Sequence, residues 1–448
     1  MWAEAVAGGH LIRAAGGAPY TFMGPTFEDT SLVDLTSEPA RAWAKAQIAA
    51  GFAQGADGYM ADFGEWLPTD AVLSTGPATL ADHDRYPVEW ARLQREVLDA
   101  QTDGVERLFF SRAAHLHAQR SIDVLWAGDQ QTDWSVGDGL PSVIPMGLGL
   151  GVVGFPYFAH DVGGYMSQLT VPTSRELWFR WVTLGALTPV MRTHHGRSAR
   201  ENWSWESDAA STAHLARWAR FHQRLLPYLY EAARTANLTG LPIMRPMAID
   251  HPDFEPGWTA TDQYQLGDAL YVAPVVSEGA TSRMVSLPPG RYTRLVVAGD
   301  GSDVHAGASV TIGGGAAPME VTAALDDIPV LVPAGAVLVL LPPDVDTVVA
   351  ATQAGVRTLA DAGDDREVLV FGGGDRTFAE TGGLAYAWHG AALHAPPTSA
   401  TWNGAPVTPT DGRYVVRGPG TLALDGGTAT LAITGGAATR ALAIRVAP

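Results

Sequence analysis

The chain reads as an α/β half, built on a parallel sheet or barrel, followed by antiparallel β-sandwich structure. Three observations predict this. Before about residue 240, amphipathic helical stretches alternate with short apolar runs. Eleven of the fourteen tryptophans also lie there, which marks a change of composition at mid-chain. Beyond it, short β-rich runs are separated by Gly, Pro and Asp clusters.

The first elements follow in order. Residues 35–52 form an amphipathic helix: Ser37 can cap it, and Ala40, Trp43, Ala44, Ile48 and Phe52 recur at helical spacing. The run Gly58-Tyr59-Met60-Ala61 is a short strand that ends on Asp62. A helix over 87–100 precedes a strand at 107–110, and 124–127 is a buried strand ending on Gly128-Asp129. The apolar run 143–158 holds two prolines and four glycines, is short for a membrane span, and reads as buried core. In the second half, strands are expected at 269–276, 284–287, 329–332, 337–341 and 367–371. The expected domains are 1–240, 241–345 and 346–448, the last two each a small sandwich. The glycine clusters 313–315 and 372–374 are expected to be hairpin loops.

Composition narrows the function. A formal net charge of −18 opposes binding to nucleic acid or to an anionic membrane surface. With no cysteine, disulfides, thiolate metal sites and cysteine nucleophiles are excluded. The first 18 residues carry Glu4, His10 and Arg13 among small residues and do not read as a signal peptide, so a cytoplasmic protein is expected. Self-association into a homo-oligomer is compatible with the sequence, which does not specify it.

In α/β barrels, catalytic groups sit where strands end and loops begin. Asp62, in Ala61-Asp62-Phe63-Gly64-Glu65, and Asp129, in Trp126-Ala127-Gly128-Asp129-Gln130, both occupy such ends. Glycoside hydrolysis needs a carboxylate pair of this kind, one to attack or to activate water and one to protonate the leaving oxygen. An acidic residue ending a strand can equally be a helix cap. Asp62-Phe63-Gly64 imitates a kinase metal triplet, but the accompanying kinase loops are missing. The run 149–154 matches G-x-G-x-x-G without the strand and helix that a dinucleotide site needs. His115, His117, His160, His194 and His195 crowd these motifs, yet their spacing supplies no metal-ligand set. No cofactor and no metal are expected.

Taken together, GYMADFGEWLPTD (58–70), LFFSRA (108–113), LWAGDQQTDWSVGDGL (125–140), FAHDVGGY (158–165), MRTHHG (191–196) and LPIMRPM (241–247) resemble glycoside hydrolase family 31, and most closely its sulfoquinovosidase branch. The 67-residue interval from Asp62 to Asp129 fits as well. The resemblance covers most of residues 20–345. It implies a partial (β/α)8 TIM-type barrel, with strands four to eight, followed by two C-terminal β-sandwich domains. It also implies a retaining α-glycosidase whose partner is a small-molecule glycoside. Asp62 would be the nucleophile, and Asp129 the acid/base with a raised pKa. Arg112 would hold Asp62 or a sugar hydroxyl, or form a salt bridge at the barrel mouth. Trp126 would wall the sugar, His194 would bind its hydroxyls, and Asp161 would stand at the rim. Tyr165 would help hold a sulfonate. Family members begin with a further sandwich and the first barrel strands, so truncation or a complementing partner chain is expected. The alternatives are a neutral α-glucosidase or α-xylosidase, and a non-catalytic carbohydrate-binding remnant.

Overall fold

The structure is a computed structural model, and it describes residues 1–22, 30–167, 171–194, 196, 198–315, 317–390, 393 and 397–447. The chain divides into two compact units, Met1–Gly128 with Val153–Tyr157, and Asp129–Val152 with Phe158–Pro448.

In the first unit, helix Glu38–Phe52 begins where its chemistry says it should. The Ser37 hydroxyl accepts from the Ala40 amide and a proline occupies the first turn. Strand Gly58–Ala61 pairs in parallel with Leu108–Ser111, which pairs in parallel with Val124–Trp126. The register sets Ala61 beside Ser111, so the next residues, Asp62 and Arg112, leave the sheet at the same end. Helix Leu80–Asp99 starts seven residues before the expected position. The Thr79–Asp82 capping box fixes that start, and Pro87 lies inside the helix instead of opening it. The two helices are joined by Arg41 to Glu89 and Glu96, and by Lys45 to Glu96.

The second unit begins with helix Val143–Val152. A Cβ on Gly147 would lie 2.8 Å from the Met244 sulfur, and one on Gly151 would lie 2.9 Å from the Met244 carbonyl. Gly147 and Gly151 therefore permit close packing of this helix, and the 149–154 match lies at the end of a helix instead of opening one. Helices Arg175–Gly185, Ala209–Arg224 and Leu226–Thr239 follow; Ser174 and Asp208 cap the first two, and Gly240 ends the third at φ 77°.

The remainder is sheet. A six-stranded sheet runs in the order Asp303–Ile312, Gly290–Ala298, Val330–Pro333, Leu270–Val272, Tyr264–Leu266, Met244–Arg245, beside the pair Ser282–Val285 and Met319–Thr322. A four-stranded sheet joins Val337–Leu340, Arg366–Phe371, Ala441–Ala447 and Tyr414–Arg417. A second six-stranded sheet runs from Arg376–Glu380 to Ala405–Pro406. These last two sheets share one core containing Val368, Trp388, Leu422, Leu431 and Ile444, all fully or almost fully buried. The glycine clusters differ from expectation. Residues 313–315 join strands of two different sheets, as do 372–374, so neither is a hairpin. Positive φ at Gly315, Gly373 and Gly374 lets the chain turn sharply between layers.

Candidate active site

Asp62 follows its strand into a strained turn. Phe63 has φ 60° and Gly64 φ 97°, and a Cβ on Gly64 would stand 2.5 Å from the Trp90 ring. The turn brings the Phe63 amide back to donate to Asp62 Oδ1 at 2.8 Å. From the adjacent strand, Arg112 Nε reaches the same Oδ1 at 3.3 Å. The guanidinium is shared: its Nε and Nη2 donate to Glu65 Oε1 at 3.0 and 2.7 Å. It also lies over the Phe63 ring, 4.5 Å from the centroid. A cavity of about 200 Å³ opens here, with Asp62, Phe63, Trp66, Tyr86 and Trp90 in its wall. Trp126 is almost fully buried and meets Phe110 edge to face at 5.5 Å.

In the second unit, the segment after Asp129 is fastened to the 161–166 loop. The Gln130 carbonyl accepts from the amides of Tyr165 and Met166, at 2.8 and 2.9 Å. Gly164, at φ 79°, allows this approach, since a Cβ there would lie 2.8 Å from the Gln131 carbonyl. Nearby, burial raises the pKa of Asp138, and the negative charges of Asp133 and Asp129 add to it. Asp161 is fully buried and paired with Arg192. Their segments are aligned by an isolated parallel bridge from Val162 to Thr193. One residue further on, the His194 ring stacks on Tyr165, with centroids 4.7 Å apart and planes 8° from parallel. Gly196 passes so close to the Tyr165 carbonyl that only glycine fits.

The structure thus brings Asp62 and Arg112 together in one unit, and Tyr165 with His194, and Asp161 with Arg192, in the other. Sequence reasoning missed two partners, Glu65 and Arg192, although both stand inside motifs it quoted. Among the described residues, the remaining histidines do not form a centre. His160 is fully buried, accepts from Trp181 Nε1 on Nδ1 at 3.0 Å, and contacts Thr188 Oγ1 with Nε2. Burial, reinforced by the Arg192 charge, pushes its pKa down to about 3. His115 and His117 are exposed, and His195 lies outside the described residues. Among the described residues, no group of three or more His, Cys, Asp or Glu side chains could hold a metal ion. None of the described helices is long and apolar enough to cross a membrane.

Parallel strands with polar residues at their carboxyl ends, followed by all-β structure, fit the α/β-barrel class with appended β domains. The chain belongs to glycosyl hydrolase family 31. The family's TIM-barrel domain model matches residues 1–232, and its C-terminal domain model matches residues 240–338. Sulfoquinovosidase of Escherichia coli strain K12 is 39% identical over 290 residues, covering 64% of this chain and 43% of the relative. Sulfoquinovosidase of Agrobacterium fabrum is 36% identical over 262 residues, covering 58% and 40%. The chain therefore spans less than half the length of either relative. Among solved structures, a family 31 sulfoquinovosidase from E. rectale, in complex with an aza-sugar inhibitor, aligns with TM-score 0.67 and 29% identity, over 74% of this chain and 48% of that one. A cycloalternan-forming enzyme from Listeria monocytogenes covers 98% of this chain and 43% of its own at TM-score 0.74 and 23% identity, a likeness of fold alone.

Proposed function

We propose that the chain carries the catalytic machinery of a retaining α-glycosidase acting on α-sulfoquinovosides. The observation that carries this reading is the 39% identity to a sulfoquinovosidase. It is supported by an aspartate at a strand end, held by an arginine from the adjacent strand and by a backbone amide of its own loop. In this reading Asp62 attacks the anomeric carbon while Asp129 gives its proton to the departing aglycone oxygen. Water, deprotonated by Asp129, then releases the sugar from Asp62, and two inversions give net retention. Arg112 and Glu65 fix the direction of the Asp62 carboxylate, which suits a nucleophile that must meet one carbon. Trp126 is assigned to the sugar-side wall and His194 to the sugar hydroxyls, while Asp161, buried and paired with Arg192, orients neighbouring groups beneath the site. Tyr165 faces the sulfonate, its ring fixed by the stack with His194. The proposal extends to a cytoplasmic location, to 1–240 as the catalytic domain, and to 241–345 and 346–448 as successive sandwiches.

The test is hydrolysis of chromogenic α-sulfoquinovoside and α-glucoside side by side. Faster release from the sulfonated substrate, with retained anomeric configuration, supports the reading. A preference for the glucoside moves the function to a neutral α-glucosidase and returns Tyr165 to packing. Binding without turnover moves it to a carbohydrate-binding module.

A further inference from the structure

A cavity of about 250 Å³ lies within the second unit and shares no residue with the one beside Asp62. Helix Leu226–Thr239 and strand Arg376–Glu380 supply two of its walls. The hairpin of Tyr264–Leu266 and Leu270–Val272 supplies a third through Gly267 and Asp268. At about 30 Å³ per water, the space suits roughly eight waters, or one small ring in their place.

The lining is chemically mixed. Arg245 is its most buried cation, with a side chain only 4% exposed. Its Nε donates to the Gly267 carbonyl at 3.0 Å, and Nη2 donates to the same oxygen. Nη1 has no hydrogen-bond partner among the described residues. Tyr228 offers only its ring, because its hydroxyl already donates to the Leu266 carbonyl at 2.7 Å and accepts from the Ala269 amide at 2.9 Å. The half-buried Phe378 stacks on it, with centroids 6.2 Å apart and planes 17° from parallel, which gives the cavity an aromatic side. Asp268 and Thr377 are exposed and bring a carboxylate and a hydroxyl from the solvent side. Glu231 is committed, accepting from the Thr381 hydroxyl and from Arg234, both at 2.6 Å.

This lining selects a class of ligand. Glu231, Arg234, Arg245 and Asp268 put two charges of each sign in the wall, so an ion meets no net opposite charge. An apolar molecule would desolvate the Arg245 donor and the Asp268 carboxylate without replacing their water. A neutral polyhydroxyl ring answers both, since each hydroxyl donates and accepts, and its C–H face can pack on an aromatic side chain. We propose that the cavity is a binding site for a neutral monosaccharide, separate from the Asp62 loop. Arg245 Nη1 donates to one hydroxyl, Asp268 accepts from another, and Phe378 lies against the ring.

The experiment titrates D-glucose into the wild type, Thr377→Trp and Asp268→Ala, read by ligand-observed NMR. For a ligand of this size, a dissociation constant of about 1 mM is expected in the wild type. Thr377→Trp places an indole in the cavity and should weaken binding by more than about tenfold, and Asp268→Ala, which removes one acceptor, by about tenfold. D-glucuronate should bind no more tightly than glucose. Sugar held at the Asp62 loop instead would be indifferent to both substitutions. No binding by the wild type, equal binding by Thr377→Trp, or a clear preference for glucuronate overturns the proposal. Should the variants fail to fold or lose less than expected, wild-type crystals soaked in glucose decide. Density for the sugar against Phe378 supports the site, and a cavity holding only water overturns it.

Discussion

Asp62 and Asp161 each pair with an arginine from a neighbouring strand segment, but the two pairs differ in burial. The Asp62 side chain keeps 28% of its surface, and its arginine divides its donors between that carboxylate and Glu65. Asp161 has no exposed surface, and Arg192 is its ion-pair partner. The first arrangement leaves a carboxylate open to a ligand and fixed in direction. The second places the ion pair beside the bridge that joins two chain segments, where removing one charge is expensive. Similar residue types therefore leave a carboxylate accessible in one region and bury one in the other.

The largest effect should come from the two carboxylates proposed to react. Asp62→Asn and Asp129→Asn are each expected to lower turnover by about 10³–10⁴-fold with little change in the unfolding midpoint. Steady-state kinetics and thermal melts check this, and near-normal turnover in either variant removes that residue from its role.

The arginines sharpen the contrast. Arg192→Met takes the charge partner shown in the fold from a fully buried carboxylate and should cost about 3–5 kcal/mol, read by denaturant unfolding. Arg112→Met leaves two part-exposed carboxylates that water can solvate, so about 1 kcal/mol is expected while turnover falls. Equal losses of stability would erase the distinction between the two pairs.

Acid should act on the second unit before carboxylates matter. His160 is held neutral, with a folded pKa of about 3 against an unfolded value of about 6.5. Burial also lowers His214, to about 4, and His222. A depressed histidine contributes stability above its unfolded pKa and loses it as pH falls. Stability should therefore decline from about pH 6.5 downward, by at most about 1.4 kcal/mol per pH unit for each such histidine. His160→Gln should remove one share of that slope, measurable by urea unfolding between about pH 6.5 and 5. The smallest effect belongs to the exposed pair Arg85–Glu89, where Arg85→Ala should change stability by less than about 0.5 kcal/mol.

Much of the first unit was legible in the chain. Ser37, followed by apolar residues at helical spacing, marks the helix that forms, and Gly58–Ala61 is the strand expected before Asp62. Pro87 misled because proline often opens a helix, whereas the Thr79–Asp82 box upstream sets the real start. The acids at the strand ends were visible because strand termination is local. Their partners were not. Glu65 binds Arg112 across 47 positions and Arg192 binds Asp161 across 31, and both contacts depend on strand register, which short-range pattern does not encode. For the same reason Asp161 reads as a rim residue in the sequence but is fully buried in the fold.

The most direct test of Asp62 as the nucleophile is to trap its glycosyl ester. The chain is incubated with a slowly hydrolysed fluorinated α-sulfoquinovosyl donor, digested, and mapped by mass spectrometry. A sugar adduct on the peptide containing residues 58–70, fixed at Asp62 and absent in Asp62→Asn, is the predicted result. An adduct on another carboxylate, or one that persists in Asp62→Asn, would contradict it.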